Sequence, residues 1–384
     1  MKRILYIHNS ADIYGASRSL LRLLAALDRG RFDPVVVLPA EGPLADRVRG
    51  LQVPLIIYSG LSVVDRATFR LVKLPWFLLR IPFSIAAIYS IIRRERIDLV
   101  HSNTGVILPG GPAAKCAGVP HVWHIRDWFQ EFSGFWKYYE KFFRVFSDRI
   151  LAVSEAIAAQ FSSREKVAVV NNGFDLSEFP QGNTGMRSDF RKTLGISEED
   201  IVAGVVGRIK WVRKGQEYVV RAIGILKTRG VKVWGLIVGT PFPGNEDHLV
   251  RLQDLARELG VEDQLIFTGE LADPRPAYAG MDIFVLPSAQ PEPFGGVVME
   301  AMAMELPVVA TRLGGSVDQV ADGESGFLVE PANAEDLADK LEVLAKDAGL
   351  RGRMGRAGRE RIATKFTLDG MVAQIEKLYE ECLS

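Results

Sequence analysis

Residues 285–312 read VLPSAQPEPFGGVVMEAMAMELPVVATR. A short apolar strand, VLPS, breaks into a loop carrying two prolines and two adjacent glycines. The loop runs into a helix, VVMEAMAM, and the stretch ends in a second apolar strand, PVVAT. A strand–glycine loop–helix unit puts free backbone N–H groups at a helix N-terminus, beside the carboxyl end of a sheet, which suits a phosphate or another anion. Two acids, Glu292 in the loop and Glu300 on the helix, stand with seven residues between them. A phosphate gains nothing from two carboxylates. They suit a ligand that also presents hydroxyls, such as a sugar or ribose on a diphosphate.

The same alternation extends in both directions. RILYIH (3–8) is a buried-strand pattern, followed by a loop and an amphipathic helix with apolar positions at Leu20, Leu23, Leu24 and Leu27. Gly15 stands at the turn before that helix, either as a plain turn glycine or to let a ligand approach the backbone. IDLVHSN (97–103) and VPHVWHIRD (119–127) are further strands whose carboxyl ends carry Asn103, and then His124, Arg126 and Asp127. His124 reads equally as a satisfied structural histidine or as a polar contact to a substrate. VAVVNNGFDLSEF closes a first domain, and the polar QGNTGMRSDFRKTLGISEED is read as a linker into a second. There, a strand at 201–207 precedes GRIKWVRKG, where Arg208 and Lys214 are placed to neutralise a diphosphate or to form a solvated basic loop. Strand–helix alternation throughout predicts α/β architecture: two Rossmann-like, doubly wound domains facing across a cleft.

Bulk properties agree. At 384 residues, two domains are the natural division. Lys plus Arg balances Asp plus Glu at 47 each, which argues against nucleic acid as a partner. Two cysteines, Cys116 and Cys382, are too few for a disulfide scaffold or a thiolate metal site. MKRILYIHNS reaches polar residues too early for a signal peptide, so a cytoplasmic location is expected.

Residues 65–96 stand apart. Arg66, Arg70, Lys73, Arg80, Arg93, Arg94 and Arg96 oppose Asp65 and Glu95, and Trp76, Phe77, Phe83 and Tyr89 lie among aliphatics. The apolar run after Arg80 is about a dozen residues, short of the roughly 20 that span a bilayer. Two readings fit: a helix covering the sheet, or an interfacial contact with anionic lipid through Arg66, Arg70, Lys73, Trp76 and Phe77. The aromatic FQEFSGFWKYYEKFFRVF (129–146) either packs on the domain or adds to that patch.

GRIKWVRKG, LPSAQPEPFGGVVMEAMAMELPVVAT, GGSVDQVADGESGFLV and NNGFDLSEF together resemble the GT-B retaining glycosyltransferases of family 4, the glycogen-synthase-like group. Glu292 and Glu300 match that family's Glu–seven residues–Glu motif. The resemblance implies that Glu292 contacts hydroxyls of the transferred sugar and Glu300 holds the ribose. It implies that the N–H groups of Phe294, Gly295, Gly296 and Val297, with Arg208 and Lys214, bind the diphosphate, and that Gly15 admits it from the first domain. His124 would lie near the sugar, with Asn103 and Arg126 on the acceptor side and the base near residues 267–271. It implies domains at 1–173 and 174–365, a final helix (366–384) crossing back onto the first, and transfer without metal or other cofactor. The chain has no Asp-x-Asp. Two departures are Glu305, where the family has glycine, and YGAS, where it has a run of glycines.

A nucleotide-sugar donor, UDP- or GDP-linked, is therefore expected. The acceptor would be a lipid-linked saccharide in cell-surface polysaccharide or glycolipid synthesis, with the enzyme peripheral on the inner face of the cytoplasmic membrane. The alternatives are a soluble small-molecule acceptor, a nucleotide-sugar epimerase, for which no acid–base pair stands out, and an inactive binding protein. A Rossmann oxidoreductase is disfavoured because NSADIYGAS, not G-x-G-x-x-G, follows the first strand.

Overall fold

Fully buried apolar runs set the sheets: Ile4 to Ile7 and Val35 to Leu38 near the N-terminus, and Ile283 to Val285 with Val308 to Ala310 later, are shielded on both faces, as parallel strands require. The computed structural model describes every residue except 65–67, 69–73, 131–132 and 181–183. The chain divides into Met1–Gly173 with Leu368–Ser384, and Phe174–Thr367.

The first unit runs β1 (Lys2–Ile7), α1 (Gly15–Ala26), β2 (Phe32–Leu38), α2 (Pro43–Gly50), β3 (Leu55–Ile57), α3 (Leu74–Arg94), β4 (Leu99–Ser102), α4 (Gly110–Ala117), β5 (His121–Ile125), α5 (Ser133–Val145), β6 (Arg149–Ala152), α6 (Glu155–Ala158) and β7 (Val167–Val169). Its parallel seven-stranded sheet has the order β3-β2-β1-β4-β5-β6-β7. The second unit runs α7 (Thr184–Leu194), β8 (Val202–Val206), α8 (Gln216–Thr228), β9 (Trp234–Val238), α9 (Asp247–Glu258), β10 (Leu265–Gly269), α10 (Arg275–Gly280), β11 (Ile283–Leu286), α11 (Gly296–Ala303), β12 (Val308–Thr311), α12 (Ser316–Gln319), β13 (Gly326–Val329), α13 (Ala334–Lys346) and α14 (Ala348–Lys365). Its six parallel strands have the order β10-β9-β8-β11-β12-β13. The last helix, α15 (Leu368–Leu383), belongs to the first unit, where Met371, Val372, Ile375 and Tyr379 join the core of Leu20, Leu24 and Phe32. Both sheets are doubly wound, as the alternation predicts.

In such sheets ligands sit outside the strand carboxyl ends where connections diverge. That point lies between β1 and β4 in the first unit and between β8 and β11 in the second. The loops there are those carrying Asn103, and Arg208, Lys214 and Glu292.

One expectation is corrected in part. The polar stretch read as the linker and entry to the second domain does lie in the second unit, but it contains α7, and Arg191 on it is 1% exposed. Its guanidinium bonds the Gly280, Ser197 and Asp200 carbonyls and pairs with Asp282 at 2.6 Å. The polarity that suggested solvent is spent inside the unit.

Helix α3 divides along its length. Ser84, Ile88, Ile91 and Ile92 are buried, and the three isoleucines pack over the sheet with Leu5 and Val37. Trp76, Leu78, Leu79 and Phe83 are exposed, Trp76 at 68% and Phe83 at 69%. Among the described residues, α3 is the one helix long and apolar enough to cross a membrane by length and composition. It continues N-terminal to Arg80, which the sequence count took as the limit. Arg66, Arg70 and Lys73 lie outside the described residues. The aromatic segment of α5 packs inward: Trp136, Tyr139 and Phe143 are buried against Phe129 and Phe161, although Phe135 and Tyr138 remain exposed.

Candidate active site

In the second unit the loop after β8 is clamped onto the loop after β11. The N–H groups of Ala289 and Gln290 both donate to the Arg213 carbonyl, at 3.1 and 3.3 Å. Gly215 closes that loop at φ +71, with the Pro287 carbonyl oxygen only 1.8 Å from where a Cβ would stand. No other residue fits so close an approach.

The clamp carries Lys214 to Glu292. Lys214 Nζ lies 2.6 Å from Glu292 Oε1, and Ser288 Oγ donates to the same oxygen at 3.0 Å. Nothing among the described residues bonds Oε2, so the carboxylate is oriented by one oxygen and offers the other. From the far side the Gly315 N–H donates to the Glu292 carbonyl at 2.8 Å, and Gly314, at φ +66, lies with its Cβ direction 2.3 Å from that same oxygen. Arg208 stacks its guanidinium 3.8 Å from the centre of the Phe242 ring.

Helix α11 begins beside Glu292. Gly295 is its cap, and Gln319 binds both of that residue's backbone groups, accepting from the N–H at 3.3 Å and donating to the carbonyl at 2.9 Å. The Gly295 N–H is therefore already engaged. Gly296 and Val297 supply the open first-turn donors, and no atom comes within 4 Å of a Cβ built on Gly296. Phe294 packs edge-on against Phe366 at 5.9 Å. Glu300, about one turn into α11, is 6% exposed and accepts from the Tyr278 hydroxyl at 2.7 Å.

The first unit gathers a second polar set. Gly15 is the first residue of α1, and a Cβ on it would meet nothing within 4 Å. His124 is fully buried; its Nδ1 lies 3.2 Å from Arg126 Nη2. Asn103 Nδ2 donates to His8 Nδ1 at 3.0 Å and to the Ala16 carbonyl, while His8 Nε2 lies 2.9 Å from Ser17 Oγ on α1. Burial pushes the Arg126 guanidinium down to about 9, with Asp127 opposing, and burial with the Arg126 charge pushes His8 to about 3. His101 Nε2, Asn103 Oδ1, Thr104 Oγ1, His124 Nε2 and Arg126 Nε are all buried without a hydrogen-bond partner among the described residues. Five such atoms on the carboxyl ends of β4 and β5 mark a place built to meet polar ligand atoms or water.

Trp76 and Phe77 fall elsewhere in the first unit. With Leu61, Val63 and Arg80 they line a cavity of about 270 Å³. Among the described residues no group of three or more His, Cys, Asp or Glu is disposed to hold a metal ion.

Sequence reasoning missed Tyr278 and Gln319, whose polar groups act through tertiary contacts, and Ser288, four residues before the acid it bonds. The signal for Gln319 and the Gly314–Gly315 pair was present in GGSVDQV, where adjacent glycines mark a close backbone approach.

Comparison with known proteins gives a consistent result. Residues 186–361 match the family described as glycosyl transferases group 1, and residues 13–178 match glycosyltransferase family 4. The chain is 30% identical over 247 residues, 61% of this chain and 62% of the other, to the capsular polysaccharide biosynthesis glycosyltransferase CapM of Staphylococcus aureus. It is 34% identical over 227 residues, 56% of this chain and 52% of the other, to a D-inositol 3-phosphate glycosyltransferase of Kribbella flavida. The matches thus span between half and two thirds of those relatives' lengths. In fold, the chain is similar to Anabaena HepE, crystallised with UDP, at a TM-score of 0.84 and 24% identity, covering 99% of this chain and 100% of HepE. HepE has also been crystallised with UDP-glucose.

Proposed function

Because the chain belongs to the family 4, group 1 glycosyltransferases of GT-B fold, we propose that it moves a sugar from a nucleotide-sugar, UDP- or GDP-linked, to a saccharide acceptor with retention of anomeric configuration. The observation that carries this reading is the Glu292 carboxylate, held by Lys214 and Ser288 on one oxygen with the other open, beside the N-terminus of α11. Oε2 accepts from a sugar hydroxyl. Gly296 and Val297 donate to the diphosphate, and Lys214 and Arg208 counter the charge it gains as its bond to the sugar breaks. Glu300 takes the ribose hydroxyls. In the step itself, the acceptor oxygen bonds to the anomeric carbon as the carbon–phosphate oxygen bond breaks, and the acceptor's proton passes to the departing diphosphate. No metal is needed for that balance.

For the acceptor we favour a lipid-linked saccharide, with the protein peripheral on the cytoplasmic face of the membrane. The exposed Trp76, Leu79 and Phe83 recur at positions i, i+3 and i+7, forming an apolar stripe on a helix that also bears Arg80, Arg93 and Arg94. The 270 Å³ cavity lies at the same end of the helix. CapM, named for capsular polysaccharide, supports this reading. The D-inositol 3-phosphate relatives support a second one, a soluble phosphorylated acceptor met by buried Arg126.

A transfer screen decides between them, starting with UDP-glucose because HepE holds it. Membrane extract and soluble phosphorylated polyols serve as acceptors. In parallel, flotation with anionic vesicles is expected to carry the protein up and to fail for Trp76→Ser/Phe83→Ser. Transfer to the soluble acceptors alone, with no flotation, would exclude the lipid-linked reading.

A further inference from the structure

The loop after β9 reads GTPFPGNED (239–247) and carries an aromatic that adds little to the core. Phe242 is 53% exposed, yet its place is closely set. Its carbonyl accepts from the Asn245 N–H at 2.9 Å, and Gly244 in between stands at φ +84. Proline second and a left-handed glycine third is the pattern of a type II turn, and Pro243 stiffens it because its own φ is fixed. Pro241 and Pro243 also hold the residues before them, Thr240 and Phe242, to extended backbone.

The start of this loop is tied to the loop after β8. The Ile209 N–H donates to the Thr240 carbonyl at 3.0 Å, and Ile209 and Pro241 form an isolated bridge. Gly239, at φ +133, has the Gly207 carbonyl oxygen 2.1 Å from its Cβ direction, so a side chain there would collide with the β8 loop. Arg208 lies between these two contacts, its carbonyl accepting from Gln216 Nε2 at 2.9 Å. Its guanidinium carbon stands 3.8 Å from the centre of the Phe242 ring. So short a distance puts the cation over the ring face, where the negative side of the quadrupole attracts it. A guanidinium carries its five N–H donors in its plane, pointing outward from the edge. Stacking uses the face and leaves the edge in the orientation that suits two phosphate oxygens. An arginine on a loop otherwise gives up much rotamer freedom when it meets a ligand. Here part of that loss is taken in the folded protein, before a ligand arrives.

We propose that Phe242 is a positioning residue that holds the Arg208 guanidinium in place for the diphosphate of the nucleotide. This rests on the sugar-transfer reading. A free nucleoside diphosphate carries one more ionisable oxygen than a nucleotide-sugar. A cation fixed in advance therefore favours the leaving diphosphate and the transition state more than the bound donor.

The test compares Phe242→Leu with Phe242→Tyr, using calorimetry with UDP and GDP and proton–nitrogen spectra of protein labelled with nitrogen-15 arginine. The Arg208 Nε–H signal is assigned by its loss in Arg208→Ala. In wild type it is expected to be shifted upfield by the ring current; Phe242→Leu abolishes the shift and Phe242→Tyr keeps it. Affinity for the nucleotide that wild type binds is expected to fall about 3–10-fold in Phe242→Leu and to stay within about twofold in Phe242→Tyr. In transfer assays kcat of Phe242→Leu falls by a similar factor, with little change in KM for the nucleotide-sugar. In an Arg208→Ala background Phe242→Leu is expected to cost nothing further, because its effect passes through the guanidinium. A loss that persists in that background means that the ring meets the nucleotide itself, and it overturns the proposal. So does wild-type nucleotide affinity in Phe242→Leu, or an Arg208 signal that Phe242→Leu leaves in place. If wild type neither binds these nucleotides nor turns over a nucleotide-sugar, the sugar-transfer reading falls and the proposal with it. Failure confined to the Phe242 comparisons overturns the proposal alone.

Discussion

Lys214 and Glu292 are 78 residues apart in the chain and meet at 2.6 Å, Nζ to Oε1. The pair ties the loop after β8 to the loop after β11 at the switch point of the second sheet. It also divides two tasks. On the proposed reading, the ammonium meets the phosphate and the carboxylate keeps one oxygen for a hydroxyl.

Separate readouts follow from that division. Glu292→Gln keeps an acceptor but loses the charge that orients Lys214, and kcat is expected to fall about 100-fold with UDP affinity changed little. Lys214→Ala removes the cation, and UDP affinity measured by calorimetry is expected to weaken about tenfold or more. Unchanged turnover in Glu292→Gln would remove that residue from the mechanism.

Two glycines near this pair respond oppositely to an added methyl group. Gly314 holds φ +66 with the Glu292 carbonyl 2.3 Å from its Cβ direction, so Gly314→Ala displaces the loop and is expected to destabilise the protein by about 2 kcal/mol or more. Gly296 has open space before it, so Gly296→Ala is expected to melt like wild type. The added methyl group stands where an anion would approach the α11 N-terminus, and UDP affinity should drop about tenfold. Equal melting temperatures for the two variants would contradict the packing, and full UDP affinity in Gly296→Ala would move the diphosphate elsewhere.

The strands were legible because buried parallel strands leave continuous apolar runs, as in Ile4 to Ile7 and Val308 to Ala310. Glu292, Glu300 and the glycines between them were legible because loop and helix carry them together in one stretch. Tyr278 and Gln319 were not, since each is a common polar residue whose role depends on a distant partner, and Ser288, only four residues before Glu292, gives no signal of its own. Arg191 misled for the same reason: nothing local announces that Asp282, 91 residues on, will bury it. The split character of α3 was also hidden, because composition alone does not separate isoleucines that face the sheet from aromatics that face outward.

Glu305 stands just beyond α11 at φ 57, the left-handed conformation that glycine adopts without strain. The resemblance places glycine there, so the departure has a backbone cost. Glu305→Gly is expected to stabilise the second unit by about 0.5–1 kcal/mol, after the greater freedom of glycine in the unfolded chain is counted. Thermal unfolding checks it, and a lower melting temperature would mean that the Glu305 side chain's own contacts outweigh the strain.

Acid sensitivity should reside in the first unit. Burial holds His8 and His121 at about 3 and His101 and His124 well below the ordinary 6.5, so all four fold as neutral rings. The unfolded chain takes up protons below about 6.5 while the folded one does not, so stability is complete above that pH and is lost as pH falls towards 3. Within that window each such histidine adds about 1.4 kcal/mol per pH unit to the loss. His121 is the residue to probe: it bonds Ser102 Oγ and the Phe146 carbonyl and takes no part in the proposed site. His121→Gln is expected to be less stable than wild type at pH 8. Below pH 6 the gap should narrow by about 1.4 kcal/mol per unit, because the variant has no proton to refuse. Urea unfolding of both proteins at pH 8, 6 and 5 measures it. A gap that stays constant across those values would mean that His121 gains its proton in the folded protein as readily as in the unfolded one.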